Sequence, residues 1–337
     1  MPKISAKQRI INFIYFSLNF SLAFNQKFDT ITFYPKSIKT EPILMERLSR
    51  PALRFVIRSY CMLAKPGIIM GNVVTAIGGF ALASRGNFDF WLLLAVLEGL
   101  ALIIGSACVF NNYIDRETDK KMKRTKNRPL VTGTISVRGA MIFATVLGLL
   151  GTLILALFTN ALTAAIALIG FVFYVAAYSF LKYLTSYGTL IGSIAGAIPP
   201  VVGYCAVTNQ FDLAGLIIFG MIVMWQMPHF YAISIYRLED YKAASIPVLP
   251  IKKGMLKTKI HMLFYVLAFI AVSFMLTVFS YTGYVYLGVI ALLGGVWLGL
   301  CIKGFKCACD TRWARKMFIF SLVVVMATCI AIPFSVV

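Results

Sequence analysis

The chain alternates between long apolar runs and short polar joints. Nine runs approach the 20 or so mostly apolar residues that a spanning helix needs: 66–84, 91–110, 140–158, 161–180, 188–207, 213–232, 259–280, 284–302 and 317–336. Several contain Gly and Pro, including Pro199, Pro200 and Pro228. A bundle tolerates these because neighbouring helices re-satisfy the freed backbone groups. Every joint is short. The expected fold class is therefore all-α: a polytopic membrane protein with nine transmembrane helices in one bundle.

Composition supports the same class. Hydrophobic residues make up 60% of the 337 and charged residues 13%, against about 45–50% and about 25% in soluble domains. That excludes an ordinary soluble domain, a disordered chain, a disulfide scaffold and a DNA-binding module. The net charge of +20, from 32 Lys and Arg against 12 Asp and Glu, has two readings. One is phosphate-backbone binding; the other is cytoplasmic loops that collect Lys and Arg.

The placement of charge favours the second reading, and no nucleic-acid partner is expected. Residues 111–139 carry Arg116, Lys120, Lys121, Lys123, Arg124, Lys126, Arg128 and Arg138. Lys182 follows the fourth run, Arg237 to Lys257 the sixth, and Lys303 to Lys316 the eighth. The alternate joints hold Arg85 and no other Lys or Arg. This alternation predicts a cytoplasmic N-terminus and a C-terminus outside, in a bacterial inner membrane a periplasmic one.

Seven cysteines include four within apolar runs, and Cys307-x-Cys309 is too tight for usual zinc spacing. All read as free thiols. Residues 1–58 are basic, with ten Lys or Arg against three acids, and carry a 15-residue apolar patch at 10–24. The patch is short for a span and resembles a signal h-region or an interfacial helix. Two units are expected: a peripheral extension at 1–58, or upstream translation with Met45 or Met62 as the working start, and a membrane domain at 59–337.

Carboxylates are scarce, so their positions are informative. Asn111, Asp115 and Asp119 are four apart at the end of the second run. Each four-residue step on a helix turns about 400°, so the three project from one side. Such a stripe suits Mg²⁺, which takes one or two carboxylates and leaves other positions to water and phosphate oxygens. A solvated helix end with i,i+4 pairs to Lys123 and its neighbours is the other reading. Asp240 lies at the same end, after the sixth run, and Tyr178 and Lys182 share one helix face at the matching end of the fourth. That last pair also reads as an interfacial Tyr beside a snorkelling Lys.

With these residues in place, the chain resembles the intramembrane aromatic prenyltransferases. The likeness rests on the NxxxDxxxD at Asn111, Asp115 and Asp119. Cys108-Val-Phe-Asn-Asn-Tyr-Ile-Asp-Arg, Arg124-Thr-Lys-Asn-Arg-Pro, Trp225-Gln-Met-Pro-His, Asp240-Tyr and Ile246-Pro-Val-Leu-Pro resemble the protoheme IX farnesyltransferase branch, also called heme O synthases. It covers about four-fifths of the chain, from Lys65 onward. It implies a central cavity under cytoplasmic cap loops. Asp115, Asp119, Asp240, Lys182 and Tyr178 are expected in catalysis, with Mg²⁺ as cofactor held by Asn111, Asp115, Asp119 and Asp240. The expected substrate-binding set is Asn111, Asn112, Lys123, Arg128, Arg237 and His229. Two departures stand out. The second motif keeps Asp240 but has Tyr236 and Ala244 where relatives carry aspartates, and Asn112 stands where many relatives have Asp.

The resemblance implies transfer of a farnesyl group from farnesyl diphosphate to a vinyl group of heme B with addition of water, giving heme O. Implied partners are the lipid bilayer and terminal oxidase assembly factors. His229 and His261 are the chain's two histidines. His229 reads either as a contact to heme or as a hydrogen-bonded bundle histidine. Rival functions are a prenyltransferase with a quinone or chlorin acceptor, or a transporter. A transporter places ionisable residues near mid-span at broken helices, whereas here they gather at helix ends.

Overall fold

The structure, a computed structural model, describes residues 50–336; the apolar patch at 10–24 lies outside them. Helix α1 covers Arg50–Leu63 and runs across the expected boundary at 58/59. Nine apolar spans follow among the described residues. They are built from α2 (Pro66–Ser84), α3 (Phe90–Asp119), α4 (Val137–Phe158), α5 (Ala161–Val172), α6 (Ser179–Leu184), α7 (Gly188–Gly196), α8 (Ile198–Thr208), α9 (Leu213–Tyr236), α11 (Leu249–Val278), α12 (Tyr284–Lys303) and α13 (Asp310–Ala331). A short helix, α10 (Leu238–Ala243), lies between α9 and α11. A π-helical turn, Phe173–Tyr178, joins α5 to α6 within the fourth span.

The helix ends follow from local chemistry. Asp89, Asn160 and Asp212 cap α3, α5 and α9 by accepting from backbone N–H groups, at 2.9 Å from Trp91, 2.9 Å from Thr163 and 3.1 Å from Gly215. All three sit at the end of the bundle opposite the basic loops, where polar oxygens meet the positive ends of helix dipoles. At the basic end, Pro66 supplies the preset φ of a first helical residue.

Packing separates core helices from lipid-facing ones. Helix α4 buries only Ala140, Ala144, Gly151 and Leu155, a single stripe against α3. Its other face exposes Leu149, Leu153 and Leu157, each more than half exposed, as suits a helix bathed in acyl chains. Helices α8 and α9 are the most enclosed. There α2 and α8 approach closely: a Cβ at Gly203 would strike the Ala76 carbonyl, and one at Gly79 the Pro200 carbonyl.

Several helix limits differ from the apolar runs, because hydropathy marks the hydrocarbon stretch while the hydrogen-bonded backbone continues past it. Helix α3 runs on to Asp119 rather than ending at 110. Helix α11 starts at Leu249, not 259, and turns at Gly254 (φ 81°, ψ 168°). Helix α13 spans Asp310–Ala331 rather than 317–336. The fifth span breaks at Ala197, just before Pro199 and Pro200. Asp240 is not on the long sixth helix but on the separate α10.

Candidate active site

The extension of α3 makes the Asn111, Asp115 and Asp119 stripe continuous, one helical turn per step. All three are buried, with 2%, 7% and 1% exposure. Each faces a cation from a different segment. Lys65 Nζ, from the turn before α2, donates to Asn111 Oδ1 at 2.7 Å. Lys182 Nζ, on α6, donates to Asp115 Oδ2 at 2.6 Å. Arg128 Nη1, from the loop after α3, donates to Asp119 Oδ2 at 2.5 Å. Three cations thus meet two carboxylates and an amide at one end of an apolar bundle. That excess of positive charge in a half-buried setting is a trap for a polyanion.

The π-helical turn sets the register of the facing helix. Its wider winding lets the Ser179 hydroxyl donate to the Tyr174 carbonyl five residues back, at 2.9 Å. The same oxygen accepts from Asn111 Nδ2 at 3.0 Å. One turn further on, Lys182 and Tyr183 share Asp115: Tyr183 donates its hydroxyl to Oδ1 at 2.7 Å. Both oxygens of Asp115 are therefore engaged by α6. Lys182 also lies over the Tyr178 and Tyr183 rings, at 5.2 and 5.1 Å.

The turn bearing Lys65 is held from below. Lys65 occupies the left-handed region (φ 53°, ψ 66°), a conformation that costs a non-glycine residue about 1–3 kcal/mol unless its surroundings fix it. Pro66 disfavours the right-handed helical alternative. Asn112 Nδ2 donates to the Leu63 carbonyl at 2.8 Å, so neighbouring asparagines grip one turn by its backbone and by its ammonium. Burial, reinforced by the nearby Arg128 charge, lowers the Lys65 pKa to about 8.

Not every predicted site residue joins this ladder. Asn112 turns away from the stripe to hold Leu63, because adjacent helical positions point about 100° apart. Asp240 accepts from the Lys123 backbone N–H at 3.2 Å, and among the described residues no three His, Cys, Asp or Glu side chains form a cluster that could hold a metal. Asp240 sits on its own short helix, α10, and meets the basic loop through that amide. Tyr178 packs its ring beside Tyr174 at 5.3 Å rather than bonding to the stripe. His229 is buried, stacked on Trp225 at 4.8 Å, with Nδ1 2.7 Å from Ser321 Oγ. His261 meets the Tyr231 ring edge-on at 6.2 Å. Lys65, Ser179 and Tyr183 were not among the expected site residues. Lys65 opens the stretch of resemblance, as Lys65-Pro66-Gly67, which was a signal for the first, whereas a π-helical turn leaves no mark in hydropathy.

Two carboxylates and one amide oxygen on a buried stripe suit Mg²⁺, which takes only one or two protein carboxylates and completes its shell with phosphate and water.

The UbiA prenyltransferase family model matches residues 72–323, and the chain belongs to that family of intramembrane enzymes. It is 52% identical over 282 residues to the protoheme IX farnesyltransferase of Protochlamydia amoebophila, covering 84% of this chain and 100% of that protein. Among solved structures it is similar in fold to a digeranylgeranylglyceryl phosphate synthase, with TM-score 0.68, 22% identity, and 82% of this chain and 97% of that one covered. It is also similar to a UbiA homolog from Archaeoglobus fulgidus bound to GPP and Mg²⁺, with TM-score 0.60, 16% identity, and 81% and 99% covered. The chain is a multi-pass membrane protein.

Proposed function

We propose that this chain transfers the farnesyl group of farnesyl diphosphate to a vinyl carbon of heme B, with addition of water, yielding heme O for terminal oxidase assembly. The observation that carries the chemistry is the buried ladder of Lys65, Lys182 and Arg128 against Asn111, Asp115 and Asp119. The acceptor follows from the similarity to a protoheme IX farnesyltransferase matched along its whole length.

Farnesyl diphosphate places its anionic head against the ladder and its tail among apolar helices. Mg²⁺, when bound at Asn111, Asp115 and Asp119, neutralises charge on the diphosphate. Lys182 and Arg128 exchange their carboxylate partners, and Lys65 its amide partner, for phosphate oxygens as the C1–O bond breaks, which stabilises the departing charge. Tyr183 keeps Asp115 oriented while Lys182 moves. The aromatic faces of Tyr178, Phe230 and Tyr231 shield the allylic cation from water. The vinyl carbon forms the new bond to C1. Water then adds at the carbon next to the pyrrole and releases a proton. Diphosphate departs, and no electron donor or acceptor is consumed.

His229 is assigned to the heme. The Ser321 hydroxyl donates its one proton to the Phe318 carbonyl at 2.6 Å, so its oxygen accepts from His229 Nδ1–H. The imidazole is thereby held as the tautomer whose Nε2 carries the lone pair, the arrangement a metal-binding histidine requires. Lys123 and Arg237 contribute charge at the same end.

The test of the ladder is substitution without loss of shape. Asp115→Asn and Asp119→Asn should each lower kcat/KM by about a hundredfold or more while the protein still accumulates in membranes. Activity within a few-fold of wild type would remove the stripe from the mechanism. The basic end faces the cytoplasm by the positive-inside rule. The exposed Cys309 thiol, at that end, should react with an impermeant maleimide in inside-out vesicles and not in intact cells; the reverse pattern inverts the topology.

A further inference from the structure

Arg237 lies at the junction of α9 and α10, and its surroundings are unusual for a guanidinium. Its Nε is buried with no hydrogen-bond partner among the described residues. No carboxylate there comes within ion-pair distance of it, although Asp240 is three positions away and turns instead to the Lys123 amide. Its guanidinium carbon sits 5.0 Å from the Tyr236 ring centre. A buried donor left without an acceptor forfeits its hydration with no return, the more so when charged, and a native fold seldom carries that cost without a use for it.

The rings beside Arg237 form a continuous path to the histidine. His229 and Phe318 have ring centres 4.9 Å apart, and Phe318 and Tyr236 are 5.6 Å apart. Nitrogen lone pair, two flat apolar rings and a cation thus follow one another along a single wall. A metalloporphyrin presents the complementary sequence: a metal centre, a flat apolar macrocycle and a carboxylate at its rim.

We infer that Arg237 is the anchor for a propionate carboxylate of the porphyrin acceptor, with Phe318 and Tyr236 lining the path from His229. This rests on the heme reading above and goes beyond it by assigning the residue that selects an anionic acceptor over a neutral one. Quinones, the rival acceptor class, offer a flat ring but no carboxylate. A planar fork with several donors suits a carboxylate better than an ammonium does, so the residue sets specificity through geometry as well as charge.

The experiment is a cycle between residue and ligand, using the full-length protein in nanodiscs without farnesyl diphosphate. Heme B and its propionate dimethyl ester are each titrated against wild type, Arg237→Gln and Arg237→Lys, with binding followed at the Soret band. Wild type should bind heme B on the order of tenfold more tightly than the diester. Arg237→Gln should lose that preference by weakening heme B alone, and Arg237→Lys should fall between. The Soret maximum should move in His229→Ala but not in Arg237→Gln. The inference is overturned if wild type binds both porphyrins equally, or if Arg237→Gln weakens both alike. Where Arg237→Gln fails to accumulate, Arg237→Lys decides by the same comparison. Formation of heme O by wild type is read separately, so the heme reading can stand while this assignment falls.

Discussion

Lys65 is the residue whose chemistry is most open to measurement. It sits outside the apolar spans, its backbone is in the left-handed region, and its ammonium is buried against Asn111. With the pKa lowered to about 8, the free enzyme carries the ammonium below that pH and a neutral amine above it. Only the charged form attracts a diphosphate. The kcat/KM for farnesyl diphosphate should therefore fall as pH rises through about 8, and Lys65→Arg, which stays charged throughout, should lose that limb. A wild-type profile flat to pH 10 would contradict an ammonium at Lys65 that both contacts the anion and titrates near 8. At this scale the sequence was informative where residues share a helix face. Asn111, Asp115 and Asp119 were legible from a spacing of four, and Lys182 from its place at a matching helix end. Tyr183 and Ser179 were not, because their contacts depend on the side chains of another helix.

Elements add what spacing alone does not carry. The π-helical turn Phe173–Tyr178 rotates the last turn of the fourth span so that Ser179, Lys182 and Tyr183 all reach α3. Widened turns of this kind recur at functional sites. Hydropathy marked the span over 161–180 but holds no information about winding. On the far wall, α2 and α8 touch through backbone at Gly79 and Gly203. Small residues let membrane helices approach in this way, and packing rather than hydrophobic exclusion then holds them. Gly203→Val should lower stability by about 1–3 kcal/mol through overpacking, read as a lower thermal midpoint in detergent. An unchanged midpoint would mean that the helices separate there at no cost.

At the largest scale, the all-α class, the nine spans among the described residues and the gathering of basic loops at one end were legible because each is an additive property of the chain. Apolar length sets the number of crossings, and the Lys and Arg bias sets their sense. The cradle was half legible. Its carboxylates lie on one local stripe, whereas its cations come from the turn before α2, the loop after α3 and α6, which only the tertiary fold brings together. Asp240 shows what the tertiary fold adds: it follows the sixth run in sequence, and the break after Tyr236 puts it on a separate helix facing the Lys123 amide. A cationic trap at one end of an apolar bundle is what a prenyl diphosphate requires. The most direct measurement is to incubate the purified protein in bilayers with heme B, farnesyl diphosphate and Mg²⁺, and to read the product by mass. Heme B should gain one farnesyl group and one water-derived hydroxyl, and excess EDTA should abolish the product. Unaltered heme B under complete conditions, or equal turnover in EDTA, would contradict the mechanism.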